Sequence, residues 1–319
     1  MTQQSLEKYQ VVCYVFAIAA GLLSGINFPK VSSGFETLLW PVLGLLLYVT
    51  FTQVSLSNLS SAFTDLRFIG TALAGNFLVL PLIVWVLINL LPGEPALKLG
   101  VALVLLVPCT DWFITFSQLG GADVQRALAF SPISLLAQLI LLPFYLFLFF
   151  GSGMALSLAT GEMIAVFTGI IIIPLLLAYV TERWSAGHSE SLQIREILGW
   201  FPVPLLAFVI FLISASHSHV LLEAPAELWY AAVVFVAFLI IAALTAKTLS
   251  KLMALPVGHE RVLAFSFGSR NSFVVLPIAL ALPEYLELAV PVVVLQSLIE
   301  LSGMAIYVWV VPKLLFRMR

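Results

Sequence analysis

The chain has 319 residues, of which 62% are hydrophobic and 9% charged, with a formal net charge of −2 and a mean hydropathy of +1.12. A water-soluble domain carries about 25% charged residues, so this composition excludes one, and no Lys/Arg cluster is long enough for a nucleic-acid surface. The apolar runs are continuous for about 20 residues instead of alternating over about 10, which selects membrane helices over a barrel. In chain order, ten spans are predicted at 9–28, 36–54, 68–91, 97–119, 126–149, 163–182, 198–215, 227–246, 260–282 and 287–312. Each is long enough to cross about 30 Å of hydrocarbon at about 1.5 Å per residue. Turn formers such as Pro92 with Gly93, Gly120 with Gly121, Gly151 with Gly153, and Pro283 separate them. The first run, followed by many others, reads as a retained helix.

Orientation follows from the cations. With the N-terminus cytoplasmic, Lys8, Arg67, Arg126, Arg183, Arg195, Lys247, Lys251, Arg261, Lys313, Arg317 and Arg319 collect on the cytoplasmic side, against Lys30 and Lys98 on the other. That bias requires an even number of spans with both termini inside, as in a multi-pass protein of the inner (plasma) membrane. Laying 102–111 over 261–270, an offset of 159, also lays Pro132 on Pro291 and sets Asp111 opposite Arg270. Five spans followed by five inverted ones, 1–150 and 151–319, is the organisation of many secondary transporters.

Two stretches interrupt the apolar pattern. Span 4 carries Pro108, Cys109, Thr110 and Asp111, and span 9 carries Gly268, Ser269, Arg270, Asn271 and Ser272, both near mid-depth. An ionisable group there costs about 2.5–3.5 kcal/mol on insertion scales and usually marks an ion or substrate path. Pro108 lacks a backbone donor and Gly268 weakens its helix, so both spans are expected to break. Broken backbone at this depth lines a cavity or is buried in protein, and the freed half-helix N-termini suit an anion or a polar substrate. A structural role is compatible with this. Asp111 would cap the second half of span 4 and pair with Arg270, which needs a carboxylate partner in lipid, while Asn271 or Ser269 would cap span 9.

Span 10 contributes Glu300, with Gln296 and Gly303 on the same helical face. If Arg270 neutralises Asp111, Glu300 is left to bind a proton, a metal cation or a neutral polar partner, which is what ion coupling needs; the alternative is a protonated side chain bonded to a neighbouring helix. Ser131, Ser134 and Gln138 form a polar stripe on span 5, and Asn76 stands five residues before Pro81 in span 3. Each is either interhelical glue or cavity lining. Cys109, beside the proline break, offers a soft thiol for a thiophilic solute, whereas Cys13 reads as a packing residue. Trp112, Phe113 and Phe116 either narrow the cavity or pack. His188, His217, His219 and His259 fall in loops or at span ends, so neither a histidine proton relay nor an intramembrane zinc site is expected, and no cofactor is implied. A single aspartate within the spans and no membrane-embedded histidine also argue against intramembrane hydrolysis.

Pro108, Cys109 and Thr110, Asn76 with Pro81, the break Ser269 to Ser272, and Glu300 together resemble the arsenite-efflux permeases of the bile acid/sodium symporter superfamily. The likeness covers nearly the whole chain. It implies an all-α polytopic fold of ten helices in two inverted five-helix repeats. Broken helices 4 and 9 would cross in a core of helices 3–5 and 8–10, beside a panel of helices 1, 2, 6 and 7. It implies functional roles for Cys109 and Glu300. Such permeases have an apolar residue at the position of Asp111 and an uncharged break at that of Arg270. Sodium-coupled bile-acid relatives place cation ligands around helices 4 and 9, where the Arg270 guanidinium can occupy or repel the ion. The expectation is a carrier, monomeric or homodimeric, exporting a small metalloid or oxyanion by proton antiport; sodium-coupled uptake of a bile-acid-like or other organic anion is the alternative. Substrate contacts fall to Cys109, Thr110, Asp111, Ser269, Arg270 and Asn271, and ion coupling to Glu300, Asp111, Gln296, Asn76, Ser134 and Gln138.

Overall fold

The computed structural model describes residues 3–28, 32–54, 65–158, 165–185 and 197–317. Lys30, His188, Arg195 and Arg319 lie outside them. The described residues are helical: α1 (Gln3–Asn27), α2 (Ser32–Gln53), α3 (Leu66–Leu90), α4 (Pro95–Leu105), α5 (Trp112–Leu119), α6 (Val124–Leu158), α7 (Phe167–Trp184), α8 (Pro202–Ser216), α9 (Ser218–Glu223), α10 (Pro225–Leu252), α11 (Val257–Gly268), α12 (Ser272–Leu280) and α13 (Ala289–Val310). Among the described residues, seven helices are long and apolar enough to cross a membrane: α1, α2, α3, α6, α7, α10 and the Glu284–Leu315 helix that contains α13. The predicted spans 97–119 and 260–282 are each two half-helices, α4 with α5 and α11 with α12. The span predicted at 198–215 is shorter, because Pro202 starts α8 at its first turn and leaves 15 residues, about 22 Å at about 1.5 Å per residue.

The distribution of polarity is inverted relative to a soluble domain. Asp111, Arg270, Glu300, Asn76 and Gln138 are buried, while Phe16, Leu82, Ile140, Ile240 and Ile306 are exposed. Apolar side chains turned outward and polar ones turned inward are what a lipid solvent selects.

Two close approaches set the packing. Gly21 and Gly25 of α1 lie on one face, and a Cβ on either would stand 2.5 Å from Phe211 O or 2.3 Å from Ala215 O. Small residues at this spacing let helix backbones touch where apolar burial gives no driving force. α1 therefore lies along α8, with α2 against α7 and α8. On the other side, α4 runs against α13, where a Cβ on Gly100 would meet Ala289 Cα at 2.9 Å. α10 packs on α11 and α13.

α3 is widened into a π-turn at Gly75–Val79, just ahead of Pro81. Proline has no N–H for the carbonyl four residues back, that of Phe77. The Tyr145 hydroxyl of α6 donates to that carbonyl. Asn76, inside the widened turn, faces the interior.

Candidate functional site: a crossing of two broken helices

Both interruptions read from the sequence meet. Pro108 pairs with Arg270 in an isolated antiparallel bridge. The Cys109 N–H donates to Ser269 O at 3.0 Å and the Asn271 N–H to Val107 O at 2.8 Å. Pro108, rather than Asp111, thus stands across from Arg270. The expected ion pair between Asp111 and Arg270 is replaced by other contacts. Nη1 of Arg270 donates to Leu105 O at 3.3 Å, and Nη2 points to Asn76 Oδ1 at 3.1 Å, Phe267 O at 2.5 Å and Ser266 O at 3.4 Å. Its guanidinium carbon lies 5.0 Å from the Phe238 ring centroid, within cation–π range. Carbonyls freed by the two breaks meet the guanidinium directly, and the carboxylate that interacts with it electrostatically is Glu300 instead of Asp111.

Glu300 is not a leftover charge. Its Oε1 accepts from the Ser269 hydroxyl at 2.6 Å, and its Oε2 accepts from the Arg270 backbone N–H and from Gln296 Nε2, both at 2.6 Å. Ser272 donates to Gln296 Oε1 at 2.5 Å. Glu300 and Gln296 of α13 therefore replace the hydrogen bonds that α11 and α12 lose at their interruption. Gly268 lets α13 approach, since a Cβ there would come within 2.7 Å of Met304 Cε and the Tyr307 ring.

Asp111 precedes α5 without capping it; its carboxylate instead accepts from the Cys109 thiol at 3.2 Å. Asn271 is the cap of α12, with Oδ1 accepting from Val274 N–H at 3.3 Å and Nδ2 donating to Thr110 Oγ1 at 3.4 Å. Asn76 donates to Ser266 Oγ at 3.0 Å, tying α3 to α11.

α6 brings one residue of its polar stripe, Ser131, to the same place. The Ser131 hydroxyl donates to Thr110 O at the break. One and two turns further, Ser134 Oγ and both amide atoms of Gln138 are buried with no hydrogen-bond partner. Trp112 lies over the crossing, its ring T-shaped against Phe273 at 5.1 Å and parallel to Tyr14 of α1 at 6.5 Å. Phe113 packs on Phe130 instead.

The histidines lie elsewhere. His217 and His219 both face Glu287, at 3.6 and 3.5 Å, and His217 Nδ1 lies 2.9 Å from Ser216 Oγ. Burial lowers the His217 pKa, with the neighbouring Glu287 carboxylate opposing it. His259 sits between Asp65 and Asp123, 3.4 Å from each. Sequence reading missed Ser266, Phe238 and Glu287 as partners. Ser266, one turn before Arg270 on α11, was the one with a legible signal.

An apolar exterior, spanning helices and a buried polar crossing between helix breaks define a polytopic membrane solute transporter. A family model described as the Sodium Bile acid symporter family matches residues 40–224, more than half of the chain. The chain belongs to that family. Arg270 and Glu300 fall beyond the matched residues. No curated protein sequence matches the chain.

Proposed function

We propose that this transporter is a secondary carrier that exports a small neutral metalloid hydroxide, arsenite or a near relative, by alternating access in exchange for protons. One observation carries the site: on the α6 stripe whose Ser131 reaches the crossing, Ser134 Oγ and both Gln138 amide atoms are buried without a protein partner. Buried polar atoms are nearly always satisfied, and where no protein group does so a solute, ion or water takes that place. A hydroxyl and an amide that can both donate and accept suit a neutral polyhydroxyl solute, and the Cys109 thiol adds a soft contact for the metalloid. Asp111 is the proton carrier in this reading, because its carboxylate accepts from the Cys109 side chain, whereas the oxygens of Glu300 are filled by three donors that hold the break.

The reading takes the ten spans as two inverted repeats, 1–150 and 151–319. Several pairs of positions 162 apart support it. Cys109 to Ser269 and Asn271 to Val107 are one contact with its ends exchanged. Tyr145 to Phe77 and Tyr307 to Leu239 are the same hydroxyl-to-carbonyl bond over the same separation of 68 residues. Gln138 and Ser134 correspond in this register to Glu300 and Gln296. Proline at 108 has no N–H to offer Gln138 as Arg270 offers Glu300, which is a physical reason for the unpartnered amide. The polar side chains at the crossing are buried, so passage requires opening to one side and then the other. The α1, α2, α7 and α8 group is the panel against which the core moves, with Trp112 at the seam and both termini cytoplasmic.

The test is flux in proteoliposomes. An imposed proton gradient should drive arsenite movement in sodium-free buffer; Asp111→Asn should abolish gradient dependence, and Gln138→Leu should abolish flux in a folded protein. Gradient-driven arsenite flux unchanged in Asp111→Asn overturns the proton assignment. The family description favours a second reading, sodium-coupled uptake of an organic anion, and anion uptake that follows a sodium gradient would replace the first.

A further inference from the structure

Away from the crossing, two imidazoles share one carboxylate. α8 ends at Ser216, and His217 both closes α8 and opens α9, so the partial charges of the two helix ends oppose one another at it. Its Nδ1 is engaged by the Ser216 hydroxyl at 2.9 Å, which leaves Nε2 to face Glu287 Oε1 at 3.6 Å. His219, in the first turn of α9, brings its Nε2 to 3.5 Å from the other oxygen, Oε2. Glu287 stands in the turn just ahead of α13.

This contact joins two parts of the molecule. α9 lies on α1 and α8, whereas the Glu284–Leu286 turn lies on α4, and α13 runs on from that turn to Gln296 and Glu300 at the crossing. The other charged groups on elements that meet this end are Glu36 of α2, Glu94 and Lys98 at the start of α4, Glu223 of α9, Glu227 at the start of α10, and Glu284. Among the described residues none of these forms an ion pair with His217. The charges that bear on it are Glu287, which favours its proton, and His219, which together with burial opposes it.

One carboxylate neutralises one imidazolium. The side chain of His219 is 58% exposed and that of His217 7%, so a charge on His219 keeps its hydration while one on His217 loses it. With both rings charged, His217 lies buried beside a like charge and a carboxylate that is already neutralised, and water becomes its better partner. We propose that Glu287, His217 and His219 form a two-proton latch: one imidazolium holds the α8–α9 corner to the start of α13, and a second, which the shared carboxylate cannot neutralise, releases it. The role of the latch rests on the alternating-access reading above, in which this end faces outward and protons there favour the outward-open state. Its test is read without solute or gradient, so latch and flux fail separately.

The experiment is pulsed electron–electron distance measurement between spin labels at Leu222→Cys on α9 and Tyr285→Cys on the turn, both exposed positions, in the detergent-purified full chain carrying Cys13→Ser and Cys109→Ala. Going from about pH 8 to about pH 5 crosses the ordinary imidazole value of about 6.5 and leaves a carboxylate of about 4.3 ionised; a longer-distance population should rise several-fold over this range. His217→Asn and His219→Asn should each hold the short distance at both pH values, the first by removing the buried charge and the second by removing the competitor for Glu287. Glu287→Gln should move the half-change to higher pH, since neither imidazolium then has a counter-charge. A purely structural His217 would shift the distance alike at every pH. The proposal is overturned if the distance does not change with pH, if His219→Asn releases as fully as the labelled parent, or if Glu287→Gln leaves the half-change in place. If His217→Asn does not fold, the exposed His219→Asn decides: staying closed in acid supports the latch, and opening refutes it.

Discussion

Replacing Glu300 and Gln138 by leucine, one at a time, should have very unequal effects on stability although both are buried polar side chains. Glu300→Leu leaves the Ser269 hydroxyl, the Arg270 N–H and Gln296 Nε2 without the acceptor they now share. Interhelical hydrogen bonds in membranes average about 0.6 kcal/mol, and a buried donor left unsatisfied costs about 1–3 kcal/mol. Three of them place the loss between about 2 and about 9 kcal/mol. Gln138→Leu removes an amide that no protein group satisfies, so its change should lie within about 1 kcal/mol of zero, or stabilise. The assay is unfolding in mixed micelles of mild detergent and dodecyl sulfate, followed by labelling of the buried Cys109 thiol in a Cys13→Ser background. A loss at Gln138 equal to that at Glu300 would refute the reasoning, as would a loss under about 1 kcal/mol for Glu300→Leu.

Other perturbations follow from particular contacts. Tyr145→Phe should cost about 1 kcal/mol by orphaning the Phe77 carbonyl; in a Pro81→Ala background, where that carbonyl regains a backbone N–H, the same change should cost little, as a double-mutant cycle would show. Gly25→Leu should separate α1 from α8, because a Cβ alone would meet Ala215 O at 2.3 Å; a loss above about 2 kcal/mol is expected, and an unchanged midpoint would contradict the packing. His217 has a pKa depressed by burial, so its contribution to stability is present above its ordinary pKa, about 6.5, and is lost as pH falls through the lower folded value. The midpoint of the parent should therefore drop on acidification below about pH 6.5, and His217→Asn should flatten that limb.

Much of the site was legible because membranes make polarity conspicuous. Asp111, Arg270 and Glu300 are costly enough in lipid that their presence marked the crossing, and Pro108 with Gly268 marked where helices end. Partner choice was not legible. The sequence argument paired Arg270 with Asp111 because it counted charges on side chains, whereas the guanidinium is met by carbonyls at two helix termini, which exist only once the chain has broken and crossed, with the Glu300 carboxylate close enough to interact with it. Glu300 was left over in that count for the same reason. The π-turn at Gly75–Val79, which brings Asn76 to Arg270, is likewise set by Pro81 together with a tyrosine 68 residues away.

Composition and hydropathy alone determined that this is a helical membrane protein and where most of its helices run, because each span is a local property of about 20 consecutive residues. Turn residues and lone charges determined where the pattern would be interrupted. Only the tertiary structure decided that Pro108, not Asp111, lies across from Arg270, that Glu300 is fully engaged, and that Ser134 and Gln138 are among the buried polar groups without a hydrogen-bond partner. Those facts depend on a register between segments some 160 residues apart, and register is fixed by packing and backbone hydrogen bonds that no local pattern encodes.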